Sequence, residues 1–202
     1  MNIISKRAGA GKTSPADNKR FWVKKACFVT ASMVLSLQMY SVNAMDVKGY
    51  IKIANHTVQE ANGGFISNIN QLLTMQERLI EMGVDGSKEY IKKHPEHADV
   101  LGEVIIHAES MKRMTLDEIE DQWHMGKHMA SKGYDMEKFD HFGPLFSLMD
   151  SIIHPATAYI SLKEYKRTRN TDFLARASGE LIEVIEHVKH LNDKDKPQLT
   201  QN

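Results

Sequence analysis

Asp117, Asp121, His124 and His128 follow one another at spacings of four, three and four residues. On a helix, at roughly 100° per residue, the four side chains fall within about 60° of one another. Two imidazoles at i and i+4 on one face can hold a single divalent ion. Asp121 is placed to be a third ligand, or to orient one of the rings. Asp117 is about 16 Å along the axis from His128, too far to share that ion. The expected metal site is therefore His124, His128 and Asp121, with copper or zinc as the ion. The competing explanation is a solvated face whose acids and imidazoles are only polar neighbours.

Other groupings carry weaker signals. Glu183, His187 and His190, with Glu180 close by, form a Glu-x-x-x-His-x-x-His run that can hold a metal or offer a haem ligand. Imidazoles near a helix C-terminus also complement its dipole without any ligand. Asp150 and His154 are one turn apart beside Pro155, and a carboxylate there can set the imidazole tautomer. Pro155 also frees a backbone carbonyl one turn back. Glu103 precedes His107 by one turn, at the edge of an apolar stripe, and His97 covers the end of the same stripe.

Several chemistries are excluded. The sequence has no Gly-x-Ser-x-Gly and no Glu directly after His124, so neither a serine-hydrolase elbow nor a zinc-protease motif is present. Gly11-Lys12-Thr13 matches the end of a phosphate-binding loop, but the first Gly of that motif is replaced by Lys6. Of the His-carboxylate spacings that haemerythrin needs on successive helices, only His124/His128 is present, so no family is assigned. An enzyme is the less favoured reading.

The elements that must position these residues read as helices throughout. Ile51, Ala54, Val58, Ala61, Phe65, Ile69, Leu72 and Leu79 recur every three or four residues, which predicts one long helix over 47–82. Gly63-Gly64 bend it, and Gly83 and Gly86 stop it. A short piece over 87–93 follows. His94-Pro95 opens the next helix, with Val100, Leu101, Val104, Ala108 and Met111 inward. Thr115 and Glu118 form a capping box for a helix to Lys132 that turns Trp123 to the core. A loop bearing Tyr134, Phe139 and Phe142 leads to a helix over 144–168, kinked by Pro155. The last helix spans 172–192. No strand pattern or repeat appears. The expected fold is all-α: an up-and-down helical bundle of four main helices plus short helical pieces.

Seven of the 26 Lys and Arg residues, and one of the 26 acids, precede residue 26. An uncharged run and Val42-Asn43-Ala44 follow, the order of a secretory signal peptide cut after Ala44. The expected organisation is a signal peptide over 1–44, a bundle domain over 45–192 and a polar, disordered tail over 193–202. The mature protein would be periplasmic or secreted, with no membrane contact after cleavage. Its net charge near −6 argues against nucleic acid as partner. The single Cys, Cys27, lies in the removed part, which rules out disulfides and c-type haem attachment. All ten His and nine of the twelve Met lie beyond residue 44, a composition suited to copper or b-type haem. The expected function is non-catalytic binding of a metal ion or haem through His and carboxylates. The alternative is a cofactor-free interaction, sensor or adaptor domain with a protein partner docked on the aromatic loop.

Overall fold

The computed structural model describes residues 45–64 and 66–193. The chain divides into two compact units, 1–40 and 41–202, and every described residue belongs to the second. The expected signal peptide, Phe65 and the tail from 194 onward lie outside the described residues.

The described chain is an all-α bundle without strands. Helix α1 is Val47–Asn62, α2 Ile69–Lys93, α3 Ala98–Met111, α4 Leu116–Ile119, α5 Lys127–Ser131, α6 Pro144–Thr168 and α7 Asp172–Asp193. Single 3-10 turns cover Pro95–His97 and Met136–Lys138. Asp46 caps α1 by accepting from the Gly49 amide, and Asn68 caps α2 by accepting from that of Gln71. These caps satisfy amides that the first turn leaves unpaired. Among the described residues no helix is long and apolar enough to cross a membrane.

The expected helix over 47–82 is two helices, broken where Gly64 takes a left-handed φ of +70°. Gly83 and Gly86 do not stop α2, which runs through both to Lys93. The reason at Gly83 is packing. A Cβ there would meet the backbone oxygen of Ser151 at 2.7 Å, so glycine is what lets α2 lie against α6.

Helix α6 is the axle of the bundle and packs on α2, α3 and α7, while α1 closes against α7 and α2. Sixteen of its 25 residues are buried, so it has no solvated face to speak of. It runs unbroken through Pro155. The proline has no N–H for the Ser151 carbonyl, and Tyr50 of α1 donates to that oxygen instead, at 2.9 Å. Burial and the charge of Asp150 hold the Tyr50 phenol well above its ordinary pKa, so this donor keeps its proton.

Two apolar clusters flank α6. One joins Tyr50, Leu72, Leu79, Leu162, Leu181 and Val184. The other joins Leu101, Val104, Ile119, Trp123, Leu148 and Ile152. Burial of a side chain of this kind is worth about 1.5–3 kcal/mol. These clusters therefore hold α6 and α7 in register and fix whatever polar groups those helices carry inward.

Candidate metal centre

The residues that organise the site lie where the helix expected over 115–132 breaks. Thr115 and Glu118 do form the capping box, with both reciprocal bonds present. After a single turn of α4 the backbone widens into a π-helix over Glu120–His124, where the Met125 amide bonds the Glu120 carbonyl at 2.8 Å. Gly126 then adopts a φ of +70° and restarts the chain as α5. A π-turn adds a residue per turn, and a left-handed residue redirects the axis. His124 and His128 therefore do not share a face. Each joins a different set of partners.

His124 meets α6 and α7. Its Nε2 stands 3.5 Å from Glu180 Oε2 and 2.9 Å from the Thr157 hydroxyl. His154, buried on α6, donates from Nδ1 to the same Glu180 oxygen at 2.9 Å. One ligand atom from each of His124, His154 and Glu180 lies within 4.8 Å of the other two. Metal–ligand bonds of about 2.0–2.2 Å at a tetrahedral angle separate neighbouring donors by roughly 3.4 Å. The edges from Glu180 to the two imidazoles, 3.5 and 2.9 Å, sit around that value. Arg176 ties the group to the π-turn, with Nε 3.9 Å from Glu180 and a terminal nitrogen 3.0 Å from Glu120.

The other side of His154 continues inward. Its Nε2 is 3.9 Å from Asp150 Oδ1, and Asp150 Oδ2 is 2.6 Å from His187 Nδ1. His187 Nδ1 makes no directed hydrogen bond, so that last contact is a close approach with the carboxylate off the N–H direction. Burial alone would push the His154 imidazolium down. Its hydrogen bond to Glu180 and the charge of Asp150 outweigh this and hold its pKa above 6.5. His124 goes the other way: burial dominates and lowers its pKa. A cavity of about 230 Å³ opens beside the group, between His124, His154, His187 and the methionines Met125, Met129 and Met149.

His128 meets α3. Its Nε2 is 3.1 Å from Glu103 Oε2, and His107 Nε2 is 3.7 Å from the same oxygen. These three also satisfy the geometry of a metal-binding group. The Trp123 ring is stacked on His128 at 4.5 Å between centroids. Glu103 is held below the ordinary carboxylate pKa by the hydrogen bond from His128 and by Lys132.

Of the three residues expected to form one site, His124 and His128 thus enter separate groups. Asp121 enters neither: it pairs with Lys127 and accepts from Gln122. Asp117 borders a different surface groove, beside Arg113 and Lys163. Glu180, expected only as a neighbour of the His187 run, is the central carboxylate. Its signal was a seven-residue spacing from His187, two turns on one inward face. His190 stays out of the group, with its ring against Phe142 at 5.1 Å.

No family model, no curated protein and no solved structure matches this chain. The geometry alone carries the functional reading.

Proposed function

We propose that the protein is a non-catalytic binder of a divalent transition-metal ion, held by His124, His154 and Glu180. The observation that carries this reading is the convergence of three ligand atoms from three separate elements at separations an ion would impose, with His124 and His154 also lining a small cavity. Two neutral imidazoles and a carboxylate suit zinc or copper. The neighbouring thioethers add softer donors that favour copper. The cavity, about 230 Å³, is smaller than pockets for organic ligands of any size, which begin near 300 Å³. An ion therefore fits better than haem. Asp150 would act on His154 from behind, as carboxylates do on ligating imidazoles.

Binding must displace the proton that His154 shares with Glu180, since only the neutral ring is a ligand. Loading releases protons and strengthens as pH rises. The test is metal analysis and zinc and copper titration of the untagged protein. The expected result is tight binding that His154→Gln and Glu180→Gln each weaken by at least about tenfold. Unchanged affinity in both variants sinks the reading.

A cofactor-free interaction domain is the second reading. It draws support from the run of imidazole–carboxylate contacts Glu180–His154–Asp150–His187, which stands without any ion. Exposed Met125 and Phe142 give such a domain apolar contact points. Export to the periplasm is part of the proposal and rests on the order of charge in 1–44. N-terminal sequencing of the protein from a periplasmic fraction tests it, with Met45 as the expected first residue.

A further inference from the structure

We infer that Glu103, His107 and His128 form a second divalent-cation site, independent of the first, whose place in the metal-free chain is held by the Lys132 ammonium. Three observations on these residues carry it.

The first is geometric. The edges from Glu103 Oε2 to His128 Nε2 and His107 Nε2 are 3.1 and 3.7 Å. They bracket the roughly 3.4 Å expected between neighbouring donors of a tetrahedral ion.

The second is the orientation of His107. The Ser110 hydroxyl donates to the His107 carbonyl at 2.8 Å and lies 3.4 Å from His107 Nδ1. The ring is thereby held with Nε2 toward the Glu103 oxygen that His128 Nε2 also faces, as a polar neighbour orients a ligating imidazole.

The third is the cation already there. Lys132 Nζ is 3.3 Å from the same Glu103 oxygen. It answers the charge of Glu103 from one side, while the two imidazoles face the same oxygen. A divalent ion satisfies all three donors at once, and the ammonium swings out to solvent, where Lys132 is already half exposed. Trp123 walls one side of the site through its stack on His128. His107, with a third of its side chain exposed, leaves room for a water as fourth ligand. Two imidazoles, one carboxylate and a water describe zinc or copper(II).

The experiment uses the full chain with Trp22→Phe, so that Trp123 is the only indole. Copper(II) is titrated, with ions bound per chain read by equilibrium dialysis and proximity to Trp123 by fluorescence quenching. The expected result is two ions per chain. Glu103→Gln and His107→Gln should each remove one of them, or weaken it at least about tenfold, while the His154→Gln chain keeps it. Lys132→Gln should tighten the same ion several-fold. Glu103→Gln keeps the shape of the side chain, and circular dichroism checks that the helices persist.

The outcomes separate the two sites. One ion lost only with His154→Gln overturns this proposal and leaves the first. One ion lost only with Glu103→Gln does the reverse, and no bound ion overturns both. A Lys132→Gln chain that binds no more tightly overturns the role given to the ammonium.

Discussion

The two His-Glu groups are built from the same residue types, yet their surroundings differ. In the first, His154 and Glu180 expose only 5% and 12% of their side chains. In the second, Glu103 and His107 expose 19% and 34%. Burial makes the first group settle its own charge: an imidazolium is clamped between two carboxylates because neither could be left alone in the core. The second group leans on solvent and on a flexible lysine. Donor geometry is therefore common to both, while the group that answers the carboxylate differs, a buried imidazole in one case and an ammonium in the other.

Glu180→Ala should break this contrast most severely. It strands the buried His154 charge, and removing one partner of such a pair destabilises by about 3–5 kcal/mol. Urea unfolding of the metal-free protein measures it. Glu103→Ala, in the less buried group, should shift the same midpoint less. Equal losses would mean that burial does not distinguish the groups.

Gly83→Ala comes next. The new Cβ meets the Ser151 backbone oxygen, and overpacking of this kind typically costs 1–3 kcal/mol. Because the strain lands on α6 one turn before His154, metal affinity of the first group should fall while that of the second holds.

Gly126→Ala should cost about 1–2 kcal/mol, the penalty of a left-handed φ alone, since a Cβ there meets nothing within 4 Å. Its consequence is distinctive: it strains the residue that sends His124 and His128 apart. Histidine NMR shifts should change for both rings together.

The smallest effect is the pH dependence of the metal-free protein. His154 has a folded pKa raised above 6.5. Its stabilisation is complete below that value and fades as pH rises through the raised one. His124 is lowered, so it opposes folding increasingly as pH falls from 6.5 through its lowered value. His154→Gln should remove the loss of stability on the alkaline side, and denaturation midpoints from pH 5 to 9 read it directly.

Much of the fold was legible because it rests on periodicity. Leu145, Leu148, Ile152 and Ile160 announce α6, and Leu174, Leu181 and Val188 announce α7, with spacings that only a helix makes useful. What misled was glycine. Gly83 reads as a terminator by propensity, but its role is closeness to α6, a tertiary fact with no local mark. Gly126 falls inside the stretch expected to be one helix to Lys132, and a left-handed glycine after a π-turn undoes the shared face of His124 and His128. The site was legible as residue types rather than as partners. Glu180 and His154 are 26 residues apart on different helices, and Glu103 and His128 are 25 apart, distances across which one sequence carries no pairing signal.

The closure of α1 on α7 bears on how the chain assembles. The first and last helices of the described bundle pack together, and Ser178 of α7 donates to Asn62 of α1 across 116 residues at 3.0 Å. Contacts of such long sequence separation form late and slow folding. A nascent chain can build α2 and α3 before α6 and α7 have emerged from the ribosome. The group of His124, His154 and Glu180 is thus assembled only once α7 is out, and a chain truncated before Asp172 would lack both Glu180 and the partner that α1 needs.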